Sequence, residues 1–414
     1  MSNALRNRIP LLVVLAVALL LRLYVWHRTG VYMYGDMLRY NQMARHVVLD
    51  GYLGFGSKPD AFVTPLYPLF VALMFKLSMI LHGQLLPQTR LVHEVFLAQQ
   101  VLSLVGIVAA YETAALLAGR WAGLAAAVLS VLYLPDGFIG VMLLTEAVFI
   151  PLLLCTFWAF VYAQRSGNRW FYGLTGALLA LTTLARPTVL PLFAVFVFCD
   201  WLLRRKRGAN GWRRLAVSGA FWLDNVLQLV CLLVVMAPWW IRNAIDFHRF
   251  IPLDTEAGNP MLAGASPYNR VGINTLIAMS RALHESQQTF AIHYILSGFT
   301  HHFLLYAGWF LFGKLPYLLW LPYEYQYIFA FVLFHRALVI VGAIAMFAGL
   351  VERRARAVAL SALAMLAIQL AFLPLPRYGY PVVVVWMVLI PVAASWLWSW
   401  WRKRGGRGEP SAAG

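Results

Sequence analysis

The sequence predicts an all-α polytopic membrane protein, and three observations carry that prediction. Hydrophobic residues make up 62% of the chain and charged residues only 12%, with a mean hydropathy of +0.71. A soluble domain of 414 residues cannot be built this way, because too little polar surface would be left to face water. Apolar stretches long enough to cross a bilayer recur along the whole chain. The formal charge of +17 is concentrated in bursts between those stretches: Arg6 and Arg8, Arg165 and Arg169, "RRKRGANGWRR" at 204–214, "RRAR" at 353–356 and "RKRGGR" at 402–407. That is the positive-inside pattern of cytoplasmic loops, and it argues against nucleic acid as the partner. The acids Asp36, Asp50, Asp60, Asp136, Glu146, Asp246, Asp254, Glu256 and Glu285 sit mostly in the other segments, which are placed on the opposite side.

The elements follow in order. Ile9 to Trp26 is a first span, and no A-x-A-like cleavage site follows it, so it is a retained helix rather than a signal peptide. Ten spans are predicted in all: 9–26, 92–118, 121–135, 145–163, 170–185, 187–203, 215–241, 328–350, 357–375 and 381–401. The segment 64–82 is apolar but is not counted. If it crossed, the basic bursts at 204–214 and 353–356 would land outside; if it enters and leaves by one face, every burst lands inside. Thr64 as N-cap and Pro65 at the first helical position start this helix. It is read as re-entrant or juxtamembrane.

Two long non-cytoplasmic segments remain, 27–91 and 242–327, the second rich in the Trp and Tyr of an interfacial belt. Residues 1–414 form a single integral membrane domain, and 402–414 is a disordered tail. Cys155, Cys199 and Cys231 each lie in an apolar run and read as small core residues.

The stretch "YGDMLRYNQMARHVVLDGYLGFGSKPDAFVTPLYPLF" at 34–70 carries the first chemistry. Met37, Tyr40, Ala44, Val47 and Val48 share one helical face, and Arg39, Gln42, Arg45 and His46 another, as in a helix lying in the interface. Asp36 stands at its N-terminus. It has two readings, an N-cap and a general base at the membrane surface, and they do not exclude each other. Glu146 in "LLTEAVFIPLLL", Arg186 in "TTLARPTVLP", Arg242 and Asn243 in "APWWIRNAIDF" and Arg377 in "PLPRYGYPVV" stand at the same outer level. One such arginine would be read as snorkelling to headgroups. Several on the side depleted of arginine describe a cavity, its carboxylates suited to a hydroxyl or a metal and its guanidinium groups to a phosphate. No P-loop or G-x-G-x-x-G fingerprint is present.

The pattern D-x₃-Y-x₃-A-x₆-G, here Asp36, Tyr40, Ala44 and Gly51 followed by "TPLYPLF", resembles the first outer loop of GT-C glycosyltransferases. "LLTE", "LARP", "PWWIRN…F…FIPL" and "PRYGYP" resemble motifs in the same order in bacterial members of the protein O-mannosyltransferase and aminoarabinose-transferase group. The resemblance implies a GT-C-like bundle of about ten transmembrane helices with outer juxtamembrane helices. It implies an enzyme of the inner membrane, with its active site facing the periplasm or exterior. A polyprenyl-phosphate sugar would be the donor and a lipid or glycan the acceptor. Met37 follows Asp36 where many protein mannosyltransferases have a second acid, which favours lipid or glycan modification over protein.

On this reading Asp36 is the base, and Glu146 orients the acceptor or binds a metal. Arg377, Arg242 and Arg186 neutralise the leaving phosphate, with inversion at the anomeric carbon. Tyr40, Tyr67, Asn243 and Tyr378 are expected to line the substrate. No cofactor is required by the motifs; a divalent metal stays an open alternative, since two separated carboxylates do not make a site. The rival class is a lipid-carrier flippase or small-molecule transporter, which predicts paired intramembrane charges and broken helices in related halves. His335 and Arg336 are its best hint, although an interfacial position suits them better. A non-enzymatic assembly subunit would leave the outer acids and arginines without a role.

Overall fold

A computed structural model of the chain describes residues 3–84, 86–205, 217–256, 258–324, 326 and 328–405. Most of the basic run at 204–214, and the expected disordered tail from residue 406, lie outside them. The described residues form helices joined by loops, with no strand among them. The first half contains α1 (Asn3–Arg28), α2 (Asp36–Leu49), α3 (Leu66–His82), α4 (Gln88–Ala118), α5 (Arg120–Leu132), α6 (Leu134–Ile139), α7 (Glu146–Ser166), α8 (Arg169–Ala185) and α9 (Leu192–Arg204). The second half contains α10 (Gly219–Phe247), α11 (Gly258–Ala265), α12 (Ile273–Ala282), α13 (Gln287–His301), α14 (Phe303–Gly308), α15 (Lys314–Leu319), α16 (Phe329–Val351), α17 (Arg356–Gln369) and α18 (Pro376–Gly405).

Among the described residues seven helical stretches are long and apolar enough to cross a membrane: 8–28, 88–118, 146–166, 187–204, 219–247, 329–351 and 376–402. An eighth is counted if α13 and α14–α15, bent by 120°, make one broken span. The other three expected spans are also helices, α5, α8 and α17, of 13, 17 and 14 residues. At about 1.5 Å per residue they reach some 20–26 Å, short of the roughly 30 Å hydrocarbon layer.

Among the long helices α7 and α18 are the most enclosed, with 78% and 61% of their apolar windows buried, so they form the centre of the bundle. Phe149, Phe157, Phe160, Phe196 and Trp386 fill that core. In lipid, where apolar side chains gain little by leaving the solvent, such helices associate through close packing at small residues. A Cβ at Gly176 would meet the Gln228 carbonyl, which sets the α8–α10 approach, and Gly342 accommodates Trp386 between α16 and α18. A second cluster joins α2, α3, the start of α4 and the segment 141–144, through Met37, Tyr40, Tyr67, Phe75 and Phe96.

Three local expectations are corrected. α3 begins at Leu66 with Pro65 in the capping position, and Thr64 makes no capping bond. Asp36 does not cap α2: the helix starts at Asp36 itself, Gly35 precedes it at φ 52°, and no side chain caps the helix. His335 is not interfacial but buried, between the Tyr133 hydroxyl at 2.9 Å and the Leu319 carbonyl at 2.8 Å.

Candidate active site

The two central helices and α2 bring their N-termini to one place. Glu146 opens α7, Asp36 opens α2, and Arg377 is the second residue of α18. A helix N-terminus favours a carboxylate, so Glu146 and Asp36 are placed where the backbone stabilises them. Arg377 sits at the unfavourable end of its helix and is held there by those two acids. Its Nε and Nη2 donate to Oε1 and Oε2 of Glu146 at 2.6 and 3.1 Å, a bidentate fork, and its Nη1 donates to Asp36 Oδ2 at 2.8 Å. Arg186, the residue that ends α8, donates to Glu146 Oε1 at 2.9 Å. Glu146 is fully buried. The result is a continuous chain, Arg186–Glu146–Arg377–Asp36, with two charges of each sign.

Asp36, Arg186 and Arg377 of this chain line a cavity of about 150 Å³ together with Tyr40, Thr64, Thr145, Thr188, Asp254, Glu256, Gln369 and Tyr378, with Glu146 buried behind them. Arg186 lies over the Tyr378 ring, 5.0 Å from its centroid. Tyr40 packs edge-on against Tyr67, and burial pushes its phenol well up, so it stays a neutral hydrogen-bonding group. Asp36 and Arg377 also line a second cavity of about 200 Å³, with Tyr34, Met142 and Tyr323. A third, of about 540 Å³, adjoins the first through Leu184 beside Ala185 and Pro65 beside Thr64; its walls include Val47, Leu53, Leu66, Leu69, Val235 and Trp239.

Of the residues expected from the sequence, the structure brings together Asp36, Glu146, Arg186, Arg377, Tyr40 and Tyr378. It does not bring Arg242, Asn243 or Tyr67 to this cavity. Arg242 borders the apolar cavity and donates to the carbonyls of Asp60 (2.8 Å) and Leu53 (2.7 Å) while pairing with Asp246 at 2.8 Å. It fastens the first outer loop to the end of α10. Asn243 is buried, donating to the Ile251 carbonyl at 3.1 Å. Tyr67 donates to Gln99 at 2.7 Å, and Gln99 donates to the carbonyls of Gly140 and Met142, which steadies the approach to Glu146.

Sequence reasoning gave no role to Arg39, Asp254 or Glu256. Arg39 Nη1 lies 3.9 Å from Asp36 and 3.5 Å from Glu256, with its guanidinium 5.3 Å from the Phe62 ring centre. The signal for the acids was the "DTE" at 254–256, polar residues in a loop otherwise bound for the interface. Among the described residues no group of three or more His, Cys, Asp or Glu is placed to hold a metal ion. Asp36 and Glu146 are bridged by a guanidinium instead, so the residues do not fit a metal held between them.

The sequence profile of the dolichyl-phosphate-mannose-protein mannosyltransferase family matches residues 58–241. No curated protein sequence matches the chain. The fold is similar to that of the Archaeoglobus fulgidus oligosaccharyltransferase in its apo form, with a TM-score of 0.57 at 13% identity over 100% of this chain and 54% of that one. The same enzyme in complex with Zn and sulfate gives 0.55 at 14% identity, over 94% and 50%. ArnT from Cupriavidus metallidurans, bound to undecaprenyl phosphate, gives 0.54 at 17% identity, over 96% and 62%. The chain thus spans about half the length of the oligosaccharyltransferase and somewhat more of ArnT. The profile covers less than half of the chain, and the structural likeness shows a shared fold.

Proposed function

We propose that this protein is a GT-C glycosyltransferase that moves a sugar from a polyprenyl-phosphate donor to a lipid or glycan acceptor on the non-cytoplasmic face of the inner membrane, by a single inverting displacement. The observation that carries the proposal is the Arg186–Glu146–Arg377–Asp36 chain, whose Asp36, Arg186 and Arg377 line the cavity. Both arginines face the cavity and are gripped from behind by a fully buried glutamate. Preorganised cations of this kind stabilise charge that develops on a leaving phosphate without reorganising at the moment of reaction.

The chemistry follows from the residues present. The acceptor oxygen forms a bond to the anomeric carbon. The bond from that carbon to the phosphate oxygen breaks, its electron pair leaving with the phosphate toward Arg377 and Arg186. The hydroxyl proton goes to Asp36. Glu146 fixes the two guanidinium groups. The apolar cavity lined by Leu66, Leu184 and Trp239 offers room for a polyprenyl chain, and the two cavities that meet at Asp36 and Arg377 give donor and acceptor separate approaches. ArnT was solved with undecaprenyl phosphate, a lipid of the class proposed for the donor.

The face is argued from charge. Arg8 near the start of α1, Arg165 at the end of α7, Arg204 at the end of α9 and Arg402 at the end of α18 lie at helix ends remote from Asp36, Glu146 and Arg377. Arg8 reaches Glu112 in the last turns of α4, and Arg165 donates to the Leu116 carbonyl, so α1 and α7 share that basic end with the end of α4. Basic ends mark the cytoplasm, which supports a non-cytoplasmic position for the acid–arginine chain.

The test uses Arg377. Membranes of a deletion strain should accumulate an unconsumed lipid-phosphate sugar and lack one glycolipid or glycan, by mass spectrometry. Arg377→Ala should fail to restore the product although the protein is inserted. Arg377→Lys should restore it only in part, because an ammonium cannot reproduce the fork to Glu146 and Asp36. Full restoration by Arg377→Ala would remove this residue from the reaction.

A further inference from the structure

We propose that Glu256 is a second catalytic carboxylate of this cavity, receiving from Asp36 the proton that the acceptor hydroxyl loses. The inference rests on the glycosyl-transfer reading above.

The geometry supplies the argument. Glu256 lies in the loop between α10 and α11, yet it lines the same cavity as Asp36 and Arg377. The loop is fixed at three points around it. Thr255 bonds the Ala61 carbonyl through its amide at 3.0 Å and its hydroxyl at 3.2 Å, Asn259 N–H donates to the Glu256 carbonyl at 3.1 Å, and Leu373 N–H donates to the Pro260 carbonyl at 2.9 Å. The first outer loop and the approach to α18 therefore hold Glu256 in register with Asp36 and Arg377.

The two carboxylates differ in their bonds. Asp36 accepts a charge-assisted bond from Arg377 at 2.8 Å. A proton left on Asp36 would sacrifice that bond just when Arg377 is needed by the phosphate. Glu256 pairs with Arg39 at 3.5 Å, and Arg39 Nη1 also lies 3.9 Å from Asp36, so one cation spans both acids. The charged groups facing Glu256 are Asp36 and Arg39 on α2, Asp254 on its own loop and Arg377 on α18. Burial, then the nearby Asp36 and Asp254, push its carboxyl up to about 7 against the pull of the two arginines. A proton acceptor works best near the operating pH, which suits Glu256 to that task.

The step balances without a further reagent. The hydroxyl proton passes through Asp36 to a Glu256 carboxylate oxygen, Asp36 returns to its ion pair with Arg377, and Glu256 exchanges its proton with solvent between turnovers.

The experiment uses the full-length protein in lipid nanodiscs, with total lipid extracted from the deletion strain as the source of donor and acceptor. Product is followed by mass spectrometry from about pH 5.5 to 8.5. The wild-type rate should fall about tenfold per pH unit below about 7, as Glu256 becomes protonated. Glu256→Gln should lose on the order of 10²–10⁴ in rate together with that acid limb, and Glu256→Asp should recover part of both. A Glu256→Gln protein that keeps the wild-type rate and acid limb overturns the proposal.

Thermal unfolding gives a second readout. Because the folded pKa of Glu256 lies above its unfolded value, its contribution to stability is present below about 4.5 and lost as pH rises through about 7. The Tm of Glu256→Gln should therefore gain on the wild type as pH is raised from about 4.5 to about 7 and level off above it; a difference that stays constant over that range also overturns the proposal. Wild-type protein that transfers nothing at any pH would instead overturn the glycosyl-transfer reading.

Discussion

Asp36 shows how far one residue can be read from its neighbours in sequence. An aspartate before an amphipathic helix suggests a cap, but its carboxylate spans the molecule to Arg377, 341 positions away. Nothing local to "YGDMLRY" contains that partner. Glu146, Arg186 and Arg377 were legible because charge on the outer side of an apolar chain needs a reason. Arg242 met the same criterion yet serves the backbone of the first loop, since a guanidinium satisfies carbonyls as well as phosphates. Glu256 was passed over because its partners come from α2 and α18, not from its own loop. At this scale the decisive substitution is Asp36→Asn. With no capping role to preserve, asparagine keeps the size and one oxygen for Arg377 Nη1, so folding and insertion should survive. Asparagine cannot accept a proton, and transfer should drop by on the order of 10²–10⁴. Turnover within a few-fold of wild type in the purified variant would leave Asp36 as a partner of Arg377 and nothing more.

Among the elements, α3 is the one whose course the sequence could argue only indirectly, from the parity of basic loops. The structure adds an independent argument. α3 starts just after Val63 and Thr64, which line the cavity beside Asp36. It ends at His82, which pairs with Glu94 at 3.1 Å in the second turn of α4. The neighbouring His93 stacks on Trp26, and the Trp26 indole donates to the His93 carbonyl at 2.8 Å, so the start of α4 lies level with the end of α1. Both ends of α3 thus stand near the site end of the bundle, and its 17 residues lie against α2 and α4. Single cysteines at positions 58 and 88, probed with a membrane-impermeant maleimide, should both label from the outside of intact cells. Labelling on opposite sides would make α3 a span and reverse the orientation of everything after it. The helices α5, α8 and α17 were legible as apolar but not in length, because where a helix stops depends on the neighbours that bury it.

At the scale of the whole molecule the sequence gives away the fold class through composition and charge spacing, because a bilayer leaves a chain few solutions. It cannot show that α7 and α18, far apart in sequence, become the centre of the bundle and present their N-termini together. That convergence separates an enzyme from a carrier. A transporter of this size would place its charged groups midway along broken helices and alternate their exposure. Here the acid–arginine chain sits at helix ends, opposite the basic ends of α1, α7 and α18. The two designs predict different fates for the lipid-linked sugar when Asp36 is disabled. If the protein transfers sugar, cells carrying Asp36→Asn should accumulate the lipid-phosphate sugar in the outer leaflet, where periodate or a lectin added to intact cells can reach it. If it carries the lipid across, the same substitution should trap the sugar in the inner leaflet, protected until the membrane is opened. Protection in intact cells, with normal insertion of the variant, would replace the transferase with a flippase. The sugar's accessibility therefore tests the molecule as a whole, independently of any rate measured on the purified protein.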